Sequence, residues 1–348
     1  MRQTRFAQHT YTPMAKLPPY LRRDFRLLDV HSHSGFEPLQ FLTHGFPFCH
    51  SLRTNHEENE RIGVSHAVVF PFCTSFYYNL PALRQGRVEL ERKIGTAPFQ
   101  FENEQLLKQI YELFPAYKKM FIPFAIVDTV RETKKQVKAL TALIERYPFF
   151  GLKVHPRTTQ ARVDTLLKEG RPLLEFAKAY DLPILFHAAY PGSPDPFSQI
   201  SQILAVARAH PQLRYNAAHF CGFHQETFEE VARTDNVWVD AAAMAIGCDL
   251  VLQKSKIYES GKAKIPADYR DPAKVFATIA RMFPDKFMWG TDNPAHTFVS
   301  NTAIRPGAKP IRIELWSTME REKNLLRDVS GKLYRKVAYE NALQFLEG

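Results

Sequence analysis

Residues 27–35 read Leu27-Leu28-Asp29-Val30-His31-Ser32-His33-Ser34-Gly35. An apolar run ends in two histidines one residue apart, followed by a glycine. In a β-strand, side chains alternate between faces, so residues two apart point the same way. His31 and His33 therefore share one face at the C-terminal end of a predicted strand, where two imidazoles can grip one metal ion. By the same alternation Asp29 falls on that face one layer deeper, placed either to orient a ligand or to sit as a buried carboxylate satisfied by backbone or by Lys153. Alone, such a pair also fits a polar strand end with no metal. What decides the fold is that the rest of the chain repeats the pattern.

After the first run at 27–30, β-rich segments recur at 66–70, 121–127, 150–154, 183–186, 213–218, 237–241 and 286–289. Between them lie helical patterns, such as 133–146 with Val137, Leu140, Leu143 and Ile144 apolar; others cover 173–180, 198–209 and 227–233, and a closing helix covers 333–346. Alternating strands and helices imply βα units and a parallel sheet. Eight such units predict an α/β fold, a (β/α)8 TIM barrel over 27–346, in a single domain 1–348 with an N-terminal extension 1–26. A doubly wound sheet does not explain polar residues at so many separate strand ends. Long insertions are expected after strands 1, 2 and 7 (35–65, 71–120 and 242–285), shaping a substrate pocket or making oligomer contacts.

The predicted strand ends carry the chemistry. The fourth reads Gly151-Leu152-Lys153-Val154-His155-Pro156, with Lys153 and His155 on one face. The fifth ends Leu185-Phe186-His187, the sixth Ala217-Ala218-His219, and the eighth Trp289-Gly290-Thr291-Asp292-Asn293-Pro294. A closed barrel brings these ends to one mouth. His31, His33, His187 and Asp292 then offer three nitrogens and one carboxylate oxygen, a set that suits Zn²⁺ and accepts Mn²⁺, Fe²⁺ or Co²⁺, as one ion or two. His44, His50, His56, His224 and His296 lie in or beside the loops and read mostly as solvated or capping groups.

Bulk properties exclude several classes. The formal net charge of +10 over 348 residues is modest and dispersed, which favours a small anionic substrate over nucleic acid. The four cysteines show no CxxC spacing, as expected of reduced thiols in a cytoplasmic protein. No apolar stretch approaches the roughly 18 residues of a membrane span, and the basic N-terminus lacks the apolar core of a secretory signal. Neither GxxxxGK[ST] nor a strand-following GxGxxG occurs, so no nucleotide cofactor is indicated. The sequence leaves the oligomeric state open, a homodimer being possible as the commonest assembly.

The ordered set HSH, LKVHP, LFH, AAH and WGTDNP resembles the amidohydrolase superfamily, most closely its amidohydrolase-2 branch of metal-dependent hydrolases and related decarboxylases. The resemblance implies metal ligation by His31, His33 and His187, with Asp292 as a ligand or as the catalytic carboxylate. It implies that His219 contacts a second metal or polarises the substrate. Lys153 falls where binuclear relatives hold a carboxylated lysine; the other role is an amine that pairs with Asp292 or a substrate carboxylate. His155 has no secure counterpart and is expected to line the pocket.

The expected reaction is hydrolysis of a C–N or C–O acyl bond, in an amide, lactam or lactone, by a metal-activated water with Asp292 moving the proton. Decarboxylation of an aromatic or unsaturated acid at the same site is the alternative. The HxH on the first strand, where many decarboxylase relatives carry ExH, tilts the reading toward hydrolysis. A phosphoesterase and a non-catalytic metal-binding scaffold are the remaining rivals.

Overall fold

The computed structural model describes residues 17–21, 24–91, 95–302, 309 and 311–348. The expected N-terminal extension 1–26 thus falls largely outside the described residues. Twelve strands occur among them: β1 (Leu28–Phe36), β2 (Cys49–His50), β3 (His66–Pro71), β4 (Phe121–Pro123), β5 (Ala125–Val127), β6 (Leu152–Val154), β7 (Ile184–Phe186), β8 (Tyr215–Ala217), β9 (Val237–Asp240), β10 (Phe287–Met288), β11 (Phe298–Thr302) and β12 (Ile311–Leu315).

β4 and β5 are two halves of the predicted strand 121–127, separated at Phe124. The Phe124 amide donates to the Val69 carbonyl and the Ala125 amide to that of Gly151, so one half pairs with β3 and the other with β6. Parallel pairing then runs β1-β3-β4 and β5-β6-β7-β8-β9-β10. Beyond β10, Asp292 N–H donates to the His31 carbonyl (2.8 Å) and His33 N–H to the Asn293 carbonyl (2.7 Å), with a parallel bridge between Ser32 and Asn293. These bonds join the last strand to the first. Counting β4 and β5 as one, eight parallel strands form the TIM-barrel arrangement read from the sequence.

Alternation along the strands sorts the core into two layers. Val68, Phe70, Ile122, Phe124, Leu185, Trp238 and Met288 pack together with Phe345 and Leu346, as the barrel interior. Their neighbours, among them Ala67, Val69, Phe121, Leu152, Val154, Ile184 and Phe186, pack with Leu140, Ile144, Leu173 and Leu174 of the surrounding helices. Each large apolar side chain so buried contributes roughly 1.5–3 kcal/mol.

β1 departs from simple alternation where the site begins. Asp29 pairs with Ala67 and Ser32 with Val69, so three steps on β1 match two on β3: a β-bulge. Ala67 and Val69 belong to the outer layer, so Asp29 faces outward while His33, opposite Phe70, faces inward. The expectation that Asp29 shares the histidine face is therefore overturned, because the extra residue reverses the parity. Asp29 instead secures the bulge. Its Oδ1 accepts from the amides of His31 and Thr291 (3.0 Å each) and its Oδ2 from the Thr291 hydroxyl (2.6 Å). Gly290 permits the close approach, since a Cβ there would lie 3.2 Å from Val30 Cγ2 and 3.3 Å from His31 Cβ.

The insertion after β1 buttresses the same region. The helix Leu52–Ile62 is capped by Ser51, whose hydroxyl accepts from Thr54 N–H (2.9 Å), and ends at Gly63 with φ +80°. Its Asn55 donates to the His33 carbonyl (3.1 Å), and its Glu58 accepts from Asn293 (2.8 Å). One helix thus holds both strand ends. Unforeseen from the sequence is a further insertion after the eighth strand: β11 and β12 form an antiparallel hairpin over the barrel mouth. No helix among the described residues is long and apolar enough to cross a membrane.

Candidate metal centre

The bulge turns His31 and His33 inward, and the residues after β10 bring Asp292 to meet them. Each histidine Nε2 lies 3.2 Å from Asp292 Oδ1, and all three groups are buried. Asp292 adopts a left-handed backbone, φ +63°, and so does His219, φ +68°. Such geometry costs on the order of 1–2 kcal/mol per non-glycine residue and concentrates at functional sites.

Hydrogen bonding sets the tautomers. His31 Nδ1 lies 3.0 Å from Asp240 Oδ2, and His33 Nδ1 3.4 Å from the Pro71 carbonyl, so in each ring Nδ1–H donates and Nε2 keeps its lone pair. His219 Nδ1 lies 3.1 Å from the Ala242 carbonyl and donates to it, which leaves His219 Nε2 to accept from His187 Nδ1–H at 2.9 Å. His187 Nε2 then also carries a lone pair, one with no hydrogen-bond partner among the described residues, whereas that of His31 lies 3.1 Å from Lys153 Nζ. Imidazole lone pairs that face a carboxylate oxygen repel it unless a cation lies between them. The separations fit one: ligands about 2.0–2.1 Å from a tetrahedral Zn²⁺ stand roughly 3.3 Å apart. Neutral imidazole, with Nδ1 tied down, is the form in which histidine binds metal.

The electrostatics point the same way. Burial and the Lys153 ammonium both act to lower the His31 pKa, yet Asp240 and Asp292 outweigh them and the net shift is upward. His33 is pushed down to about 4, mainly by burial. Burial alone would raise Asp292, but the His31 charge and the closeness of both rings to its Oδ1 hold it well below the usual carboxylate range. The centre therefore favours positive charge between these groups.

His187 stands outside the compact His31/His33/Asp292 cluster, tied to His219 and stacked on His155 with ring centroids 4.1 Å apart. His219 is correspondingly occupied, its Nε2 accepting rather than donating. Lys153 is fully buried, with Nζ 3.1 Å from His31 Nε2 and 4.4 Å from the Phe70 ring centroid; it makes no ion pair with Asp292. Burial lowers its pKa. His155 accepts at Nδ1 from the Thr158 amide (3.2 Å), which places its own proton on Nε2.

Sequence reasoning missed Asp240, at the end of β9. It is fully buried and accepts from His31 Nδ1, Asn216 Nδ2 (2.7 Å), His219 N–H (3.0 Å) and Ala242 N–H (3.1 Å). Burial works against its ionisation, but the charge and hydrogen bond of His31, and then His219, bring its pKa down to about 2. The signal was available: Val237-Trp238-Val239-Asp240 is another apolar strand ending in a carboxylate.

A cavity of about 590 Å³ opens over the centre. His31, His33, His187, Asp292, Lys153, His155 and His219 all line it, joined by Ile246, Leu250 and Tyr258 from the seventh-strand insertion and Phe298, Ile313 and Leu315 from the hairpin. His44, His50, His56, His224 and His296 do not line it.

The Amidohydro_2 family model, described as "Amidohydrolase", matches residues 81–347, a span that begins after the His31/His33 pair. No curated protein matches the chain. Among solved structures, an uncharacterized TIM-barrel protein from Bordetella bronchiseptica is 14% identical, with 92% of this chain and 98% of that one covered and a TM-score of 0.53. IDCase from Metarhizium anisopliae in its apo form is 12% identical, with 93% and 97% covered and a TM-score of 0.50. Dihydroorotase from Campylobacter jejuni is 15% identical, with 92% and 82% covered and a TM-score of 0.47. The first two share the fold.

Proposed function

Because the chain belongs to the amidohydrolase family, we propose that it is a metal-dependent hydrolase that cleaves a C–N or C–O acyl bond of a small anionic substrate. The observation that carries this reading is the convergence of the His31 and His33 Nε2 atoms on Asp292 Oδ1, with both Nδ1 atoms engaged elsewhere. His31, His33 and Asp292 would hold the ion, with His187 Nε2 as the further donor at the cavity wall. A divalent cation so held supplies Lewis acidity and water acidified from a pKa near 16 to roughly 7.

The chain's own groups do the rest. Asp292 Oδ1 is engaged by both imidazoles, which leaves Oδ2 to take a proton from the attacking water and return it to the leaving group. Lys153, whose Nζ lies 3.1 Å from His31 Nε2, is the chain's own cation placed to stabilise charge that develops on the substrate oxygen. His219 we assign to orienting His187. Polarising a carbonyl would need a proton on His219 Nε2, the atom that accepts from His187.

The test is product analysis in ¹⁸O-labelled water, with zinc-supplemented protein and a panel of amides, lactones and aromatic carboxylates. One labelled oxygen in the product acid is expected. Release of carbon dioxide with no label in the organic product would replace hydrolysis by decarboxylation at the same centre.

A further inference from the structure

Arg157 follows the His155-Pro156 turn after β6 and lines the cavity, half-buried. Its guanidinium makes no hydrogen bond and no ion pair among the described residues, and no residue outside them is acidic. None of the carboxylates that share the cavity forms an ion pair with Arg157. Asp292 meets His31 and His33; Glu37 accepts from the Leu39 and Thr74 amides (3.0 Å each), and Asp195 accepts at Oδ1 from the Phe197 amide (2.9 Å) while its buried Oδ2 has no partner among the described residues. The Arg157 charge acts on His155, His187 and Tyr258, which places it on the His187 side of the mouth.

A half-buried cation with five donors and no partner has been partly stripped of water without compensation, an arrangement that a bound anion relieves. The guanidinium fork matches a carboxylate in two parallel hydrogen bonds. The same cavity offers an apolar wall in Ile246, Leu250, Ile313 and Leu315. A volume of about 590 Å³ suits a ligand well beyond a bare anion.

We propose that Arg157 is the residue that selects the substrate, by binding a carboxylate carried on an apolar body. This rests on the placement of the substrate in this cavity by the preceding reading, and is independent of the metal. The other cavity arginine, Arg84, is exposed, so water screens its charge and it contributes little.

The test is calorimetric titration of the full chain with 3-phenylpropionate and with 3-phenylpropionamide, after EDTA dialysis and again with Zn²⁺ restored. The wild-type protein is expected to prefer the acid in both states. Arg157→Gln should weaken the acid about 10- to 100-fold and leave the amide within about threefold, as loss of a charge-assisted pair predicts. Arg157→Lys should retain part of the preference, and Arg84→Gln nearly all of it. A wild-type protein without acid preference, or a preference that survives in Arg157→Gln, overturns the proposal. Zinc titration of the same samples separates the two readings. An acid preference lost with Arg157 in a protein that binds no zinc upholds the anion receptor and removes the metal centre. Equal zinc binding with an unchanged preference does the reverse.

Discussion

Replacing Asp240 by Asn keeps the side chain's size but turns one of its two acceptor oxygens into a donor. Oδ2 now accepts from His31 Nδ1 (3.0 Å) and Asn216 Nδ2 (2.7 Å), and Oδ1 from the amides of His219 (3.0 Å) and Ala242 (3.1 Å). Whichever way the new amide lies, two buried donors lose their acceptor. At about 1–3 kcal/mol for each unsatisfied group, the fold should lose roughly 2–6 kcal/mol. If the NH₂ faces His31, the imidazole can keep a hydrogen bond only by moving its proton to Nε2, the atom required for ligation. Supports of this kind change metal affinity by about 10- to 100-fold, or roughly 1.4–2.7 kcal/mol. Zinc titration against a chromophoric chelator at neutral pH reads the affinity, and calorimetric melting reads the stability. A folded Asp240→Asn protein with zinc affinity within about twofold of wild type would refute the view that Asp240 prepares His31 as a ligand.

Three further outcomes are expected. Burial pushes the buried Glu322 carboxyl from its ordinary 4.5 up to about 8, against the Ser317 hydroxyl that donates to it. Its contribution to stability is therefore complete below pH 4.5 and lost as pH rises through 8, on the order of 5 kcal/mol. Melting scans from pH 5 to 9 should show wild type declining relative to Glu322→Gln, and parallel curves would contradict the assignment. At Gly151, an added Cβ would lie 2.3 Å from the ring of Phe124, itself buried. Gly151→Ala should cost about 1–3 kcal/mol by overpacking, read as a lower urea midpoint at unchanged slope; an unchanged midpoint means the ring can yield. Saturating Zn²⁺ at a thousand times its Kd should stabilise the dialysed protein by about 4 kcal/mol. His33→Ala and Asp292→Asn should abolish that gain, and a gain retained in both would move the metal elsewhere.

Local pattern carried much of this protein. The spacing of apolar residues marked a helix at 133–146, where Thr133–Arg146 is found. The run 121–127 was legible as strand, although not its break at Phe124, because a change of pairing partner leaves no mark on hydropathy. The gathering of His31, His33 and Asp292 followed from reading polar residues at strand ends in a ring. It could be anticipated because strand order and barrel closure convert sequence separation into proximity.

What a single sequence determined here was which segments bury a face and which residues end them, since alternation and helical period are properties of short windows. The tertiary structure alone decided which way those residues point and what they meet. The bulge that reverses Asp29 depends on pairing with Ala67 and Val69, and the hold of Asp240 on His31 spans 209 residues of chain. Likewise, Arg157 is distinguished only by lacking a counter-charge, which no window of sequence can display. Such facts arise from closing the ring, because contacts between distant strands follow from packing and hydrogen-bond completion, not from the residues beside them.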